Sequence, residues 1–392
     1  MTKRIVWGLM LLMASCDGGG GGGDADAGRV LDGSTRSDGG TGCSGAGTSR
    51  GILGDPQLER LPAGATRVYY AGVDEATSQR CNALGDPQVL YYDLYPAPAT
   101  PNGTTVLYLH GGGYNVGYAN NGSISTMCEQ LRSLGSHCVA LEYRRGFVAG
   151  GDIAVTEVEL TAEDAARFEI TLEMALTDVL DAWAHLDARA GERGTPTDYI
   201  VMGESAGGSL ASRMVLTRDE PKSVVGAVIG FGTHRATERV VESVDFPVAV
   251  QGGLFDTTSP AYDNAIWFDA DMPVARGLVD LYTELRAHGT PAFLYLNLHA
   301  GHGLAQYQEA DGTALHYPEV IRWFLDARDG VPVESGIEHH YRYDDCEQAP
   351  PRMAGDRVRG NDGLRYDPVM ADLENGDHPE DVMARYGRPS CP

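Results

Sequence analysis

The run Asp198-Tyr199-Ile200-Val201-Met202 is apolar and rich in strand-forming residues, and it breaks at once into Gly203-Glu204-Ser205-Ala206-Gly207 before a helical pattern begins at Gly208-Ser209-Leu210. A buried strand that turns straight into a helix constrains the surrounding chain strongly, because such strands sit inside a parallel sheet covered on both faces. On so tight a turn the serine hydroxyl projects above the sheet, and glycines two before and two after it keep Cβ atoms out of the crowded backbone. The N-terminus of the following helix points unpaired N–H groups toward the same place, which favours negative charge there. A small-residue turn with an incidental serine fits the five residues taken alone; the flanking strand and helix argue against it.

The rest of the chain supplies strands and helices in alternation. Val89 to Tyr95, Thr105 to His110, Cys138 to Tyr143, Val224 to Phe231, Pro247 to Gln251 and Ala292 to Leu298 read as short strands. Asn121 to Leu134, Glu173 to Ala190, Ala275 to His288 and Tyr317 to Arg328 carry helical spacing. This alternation predicts an α/β fold with a mainly parallel twisted sheet, helices on both faces and inserted lid segments. Residues 146 to 172 and 257 to 274 break the alternation and are expected as insertions above the sheet. There is no internal repeat.

A serine alcohol needs a base to take its proton, a group to orient that base, and donors for the oxyanion that forms on attack. His110-Gly111-Gly112-Gly113-Tyr114 follows a strand and lets backbone N–H groups converge on one point. Asp256 follows the strand ending at Gln251, and His302 lies in Gly301-His302-Gly303 beyond the next one. His299 competes with His302, and Asp263 and Asp271 with Asp256. His110 is expected to hold its loop, and Glu204 is either a brace for the turn or a solvated carboxylate. His339-His340 with Asp344-Asp345 matches no strong metal-ligand spacing.

The chain from about 86 to 328 resembles the α/β-hydrolase fold, and within it the esterases and lipases similar to hormone-sensitive lipase. The resemblance rests on His110-Gly111-Gly112-Gly113, Tyr143-Arg144, Gly203-Glu204-Ser205-Ala206-Gly207-Gly208 and Gly301-His302-Gly303, with Ser, Asp and His in that chain order. It implies Ser205 as nucleophile, His302 as base and Asp256 as the orienting acid. The N–H groups of Gly112, Gly113 and Ala206 would form the oxyanion hole, with Gly111 shaping the loop. The implied activity is hydrolysis of carboxylic esters of small molecules, lipids or polysaccharides through an acyl-enzyme, with no metal or organic cofactor required. A serine peptidase or amidase on the same fold, and a noncatalytic surface binding protein, are the alternatives. The chain departs from the family in its short His234 to Phe246 connection and in the wide spacing of Asp256 and His302, so substrate choice is not inherited.

Lys3 and Arg4 precede the apolar run Ile5 to Met13, which is too short to span a bilayer and reads as a signal peptide. Ala14-Ser15-Cys16 resembles a bacterial lipobox, which predicts lipid attachment at Cys16 and location in the cell envelope, with a secreted or periplasmic protein as the alternative. The expected organisation is a signal peptide over 1–16, a Gly- and Asp-rich tether over 17–50, a hydrolase domain over 51–330 and a polar extension over 331–392. Beyond Cys16, six cysteines suit an exported protein with up to three disulfides, and Cys128 with Cys138 is the expected local pair. The formal charge of −25, with Lys3 and Lys222 the two lysines, excludes a nucleic-acid partner.

Overall fold

The computed structural model describes Cys43, Leu61 and residues 64–98, 100–120, 122–147, 161–216, 223–232, 234–235, 244–253, 256, 258–259, 264–266, 272–297, 302, 316–340, 358–359 and 365–366. The candidate lipidation site Cys16, the rivals His299, Asp263 and Asp271, and Cys346 and Cys391 lie outside the described residues.

The strands are β1 (Thr66–Tyr69), β2 (Gln79–Cys81), β3 (Pro87–Val89), β4 (Tyr91–Tyr95), β5 (Thr104–Leu109), β6 (His137–Leu141), β7 (Asp198–Glu204), β8 (Val224–Gly230), β9 (His234–Arg235), β10 (Val248–Gly253), β11 (Asn264–Ala265), β12 (Val274–Arg276), β13 (Ala292–Asn297), β14 (Gly336–His340), β15 (Val358–Arg359) and β16 (Arg365–Tyr366). The helices are α1 (Gly122–Ser133), α2 (Ala162–Ala188), α3 (Ala190–Arg193), α4 (Ala206–Leu216), α5 (Leu278–Ala287) and α6 (Tyr317–Arg328). Eleven strands form one sheet in the order β1-β4-β6-β5-β7-β8-β10-β13-β14-β15-β16. Pairing is parallel from β6 through β15, and antiparallel where β1, β4 and β16 join the two ends.

Side-chain alternation along the central strands divides the core into two layers. Leu107, Leu109 and Val201 point to one face, where they meet residues of α2, α4 and α5, including Leu176, Trp183, Leu210 and Leu281. Val106, Tyr108, Ile200 and Met202 point to the other, against Ile124 and Leu131 of α1 and Val320 and Phe324 of α6. Tyr199 to Met202 are at most 1% exposed, which is why β7 reads as an unbroken apolar run. Burying such a side chain fully stabilises by about 1.5–3 kcal/mol. The order reverses at β5, whose successor β6 lies on one side and β7 on the other; ligands of open parallel sheets bind at the carboxyl ends of strands beside such a reversal. This strand order, the two-faced helical cover and the strand–serine–helix turn make the chain an α/β-hydrolase fold.

One expectation about the insertions needs correction. The segment 146–172 is not wholly an insertion: α2 starts at Ala162 rather than at Glu173. The Thr161 hydroxyl accepts from the Asp164 N–H while the Asp164 carboxylate accepts from the Thr161 N–H, a reciprocal cap that the sequence reading overlooked. Phe168 then packs edge-on against Tyr114 and Phe147, so the first turns of α2 join the core. Within the second segment, β11 and β12 pair with β9 in a small three-stranded sheet, which ties the His234 to Phe246 connection to residues 264–276. The strands β1, β2 and β3, also overlooked, are short and partly exposed, and so lack a strong apolar signature.

Cys128 of α1 and Cys138 of β6 are bridged, and Cys43 is bridged to Cys81 of β2. Among the described residues no helix is long and apolar enough to cross a membrane.

Candidate active site

The carboxyl end of β7 delivers Ser205 in a left-handed backbone conformation, φ 53°, which a non-glycine residue adopts only when its surroundings impose it. Here the Ser205 N–H donates to the Gly230 carbonyl of β8 at 2.8 Å, and the Ser205 carbonyl accepts from the Ser209 N–H at 2.9 Å. At Gly207 a Cβ would overlap the Leu109 carbonyl oxygen, so only glycine lets α4 start this close to β5.

Ser205 Oγ lies 2.7 Å from His302 Nε2, and His302 Nδ1 lies 2.8 Å from Asp256 Oδ2. Asp256 is fully buried at its side chain, and its other oxygen, Oδ1, accepts the N–H groups of Thr258 at 2.7 Å and Ser259 at 2.8 Å. The carboxylate is thereby fixed with one oxygen left for the imidazole. Asp256 accepting from Nδ1–H leaves Nε2 with its lone pair toward the serine hydroxyl, the tautomer a general base needs. The Phe231 ring packs edge-on to His302 at 5.9 Å, and its carbonyl accepts from the Ser259 hydroxyl at 2.6 Å, so one residue touches both supports of the imidazole.

The glycine loop after β5 completes the arrangement. Gly111 stands against Ser205: a Cβ on it would come 3.2 Å from that of the serine. Gly112 and Gly113 have φ of 118° and 60°, and Tyr114 has 61°. The Gly112 carbonyl is turned away to accept from the Asn115 and Val116 N–H groups at 3.0 and 2.9 Å. Among the described residues, the N–H groups of Gly112, Gly113 and Ala206 have no backbone acceptor. Ala206 also opens α4, whose first N–H groups have no partner within the helix.

The loop is held from below by His110, in the role expected for it, and by groups whose bracing role the sequence did not indicate. Tyr114 donates its hydroxyl to the Ala206 carbonyl at 3.0 Å, joining the glycine loop to the serine turn. Tyr143 donates to the His110 carbonyl at 2.5 Å and stacks on the His110 ring at 4.2 Å, while His110 Nδ1 meets the Gly111 carbonyl at 2.8 Å. Beside them Glu142 is fully buried and accepts from the Ala119 N–H at 3.0 Å, with Arg145 Nε and His110 Nε2 each 3.5 Å away. Burial opposes its charge, but Arg145, His110 and the Ala119 N–H outweigh burial and hold the carboxyl below the ordinary glutamate range. A glutamate inside the apolar run Cys138 to Tyr143 was the available signal, since a charge there must be paired to be buried.

Glu204 is half-buried between the serine turn and the glycine loop. Burial pushes its carboxyl up to about 7, and the nearby His302 pulls in the other direction. Among the described residues there is no cluster of His, Cys, Asp or Glu able to hold a metal.

No family model matches the chain, and no curated protein matches it. Solved structures similar to it include the native form of esterase 2 from the planctomycete Thermogutta terrifontis, at 17% identity and a TM-score of 0.46, covering 70% of this chain and 98% of that one. The propionate-bound form of the same esterase gives 17% and 0.47, and the form phosphorylated by paraoxon 17% and 0.46, each covering 69% of this chain and 96% of that one. The fold assignment rests on the strand order and the Ser205 turn, independently of these likenesses.

Proposed function

We propose that the protein is a serine hydrolase of carboxylic esters, in the group similar to hormone-sensitive lipase. The observation that carries this reading is His302 within hydrogen-bond distance of both Ser205 Oγ and Asp256 Oδ2, beside the Gly112, Gly113 and Ala206 N–H groups. In the mechanism, His302 Nε2 takes the serine proton as Oγ adds to the ester carbonyl, and Asp256 stabilises the imidazolium. The three N–H groups bear the tetrahedral oxyanion, His302 returns the proton to the departing alcohol, and a water activated by the same imidazole releases the acid. Removing Ser205 should lower p-nitrophenyl ester turnover by about 10⁴-fold or more, since serine, histidine and aspartate act as a unit. Turnover by purified Ser205→Ala at the wild-type rate would contradict the proposal.

The protein is further proposed to be an envelope lipoprotein anchored through Cys16. The two disulfides support export to an oxidising compartment. In a bacterial host, Cys16→Ser is expected to move the protein from the membrane to the soluble fraction and abolish metabolic palmitate labelling; unchanged labelling would contradict the anchor.

A further inference from the structure

His185, Arg189 and Arg193 follow one another at four-residue steps: His185 in the last turn of α2, Arg189 as the cap between α2 and α3, and Arg193 at the end of α3. All three line one cavity, where the Arg189 and Arg193 guanidinium groups repel by about 0.2–0.5 kcal/mol. The dipole at the end of α2 offsets part of that cost near its last turn. The three face Arg67, Val68 and Tyr69 of β1 across a cavity of about 270 Å³.

The cavity is lined by three arginines and a histidine on a chain whose formal charge is −25. Arg67 is engaged by Asp93, through Nε at 2.8 Å and Nη2 at 2.9 Å. On the helical side the charge is matched only in part. Glu192 lies 3.9 Å from Arg189, and among the described residues no carboxylate comes within ion-pair distance of Arg193. The Arg193 Nε is itself buried without a hydrogen-bond partner. His185 Nδ1 lies 3.3 Å from the Tyr92 hydroxyl; with Tyr92 donating, His185 Nε2 carries the hydrogen and is a further donor. Burial, then Arg189 and Arg193, hold the His185 imidazole below its ordinary range. Asp74 and Glu75 act on Tyr69 from the β1 side, and Asp187 is turned to the Tyr199 hydroxyl.

We propose that this cavity binds an oxyanion, a phosphate or carboxylate group carried by a soluble small molecule or by a lipid headgroup, at a site sharing no residue with the Ser205 constellation. Two guanidinium groups bind such an anion through paired N–H donors, which a lysine does not reproduce. Val68 and Tyr69 give the adjoining organic part an apolar wall. The missing carboxylate partner of Arg193 is supplied by the ligand.

Calorimetric titration of the full chain with inorganic phosphate and with succinate, at ionic strength fixed by sodium chloride, tests this. Saturable binding of at least one of the two is expected, equal in Ser205→Ala and weakened tenfold or more in the Arg189→Gln/Arg193→Gln variant, with p-nitrophenyl ester turnover unchanged in the latter. Should that variant fail to fold, Arg189→Lys/Arg193→Lys keeps the charge and is expected to lose several-fold in affinity with the paired donors. Cosedimentation with phosphatidylglycerol against phosphatidylcholine vesicles separates the sources. Arginine-dependent binding to the anionic vesicles assigns a lipid headgroup, and none, with the calorimetric binding intact, assigns a soluble ligand. No saturable binding of either anion, or equal binding in wild type and arginine variants, would overturn the proposal. The Ser205→Ala comparison keeps this outcome distinct from failure of the esterase reading.

Discussion

Glu204 connects structure to pH behaviour at the scale of one residue. It precedes Ser205 in the chain, lies near His302, and is half-buried with Tyr108 and Tyr317 close by. Its carboxyl is pushed up to about 7, above the ordinary 4.5. The unfolded chain therefore gives up this proton more easily than the folded one. The resulting stability is fully present below about 4.5 and lost as pH rises through about 7. Replacing the group by Glu204→Gln removes that loss. In urea unfolding, the variant should gain about 1–2 kcal/mol on the wild type between pH 5 and pH 8, a figure reduced for the water that reaches a half-buried site. An unchanged difference between those pH values would show the carboxyl titrating normally. Ser205, Asp256 and His302 were legible as a group because each follows a strand and stands beside glycines, and the structure places them within hydrogen-bond distance. The perturbed state of Glu204 was not legible, since it depends on which groups from β5 and α6 close over it.

At the scale of elements, the glycine loop and the end of β6 act as one piece. Gly112 has φ 118°, and a Cβ there would overlap the carbonyl of Val116, the residue whose N–H closes the turn onto the Gly112 carbonyl. Gly112→Ala is expected to lower kcat/KM for p-nitrophenyl esters by about 10²–10³-fold, the effect of losing one oxyanion donor, with a smaller change in stability. A normal kcat/KM would show that the loop conformation is not needed. One residue past Tyr143, Arg144 donates its Nε and N–H to the fully buried Asp178 at 2.7 and 2.9 Å, with Arg80 3.1 Å from the other oxygen. Arg144→Ala strips the main partner from a buried carboxylate and should cost about 3 kcal/mol in urea unfolding; a loss under 1 kcal/mol would mean that Arg80 suffices. The central strands were readable because burial on both faces makes them continuous apolar runs. The true start of α2 was missed because its signal is the reciprocal Thr161–Asp164 cap, two polar residues that only their mutual bonds distinguish from a loop.

For the whole molecule, the sheet sets the site: β5, β7, β10 and β13 bring segments far apart in sequence to one edge; one disulfide lies within the core, between α1 and β6, and the other ties Cys43 to β2. Cys43 is joined to Cys81 across a sequence separation of 38, and Cys128 to Cys138 across 10. Closing a longer loop in the unfolded chain has the larger effect, so Cys43→Ser/Cys81→Ser is expected to cost about 3–4 kcal/mol, against about 2–3 for Cys128→Ser/Cys138→Ser, both read from urea midpoints. Equal stability with and without reductant would contradict this. The local bridge was readable because a helix leads directly into the strand that ends it; the distant one depends on where β2 and β3 pair, which no local pattern carries.

The central claim is that Ser205 becomes acylated. Rapid mixing of the protein with p-nitrophenyl acetate, followed by acid quench and peptide mass spectrometry, measures this directly. The account predicts an acetyl group on the peptide containing Ser205, formed with a burst of p-nitrophenol, and neither burst nor adduct in Ser205→Ala. Ester turnover in the wild type with no adduct at Ser205, or with the adduct on another residue, would contradict it.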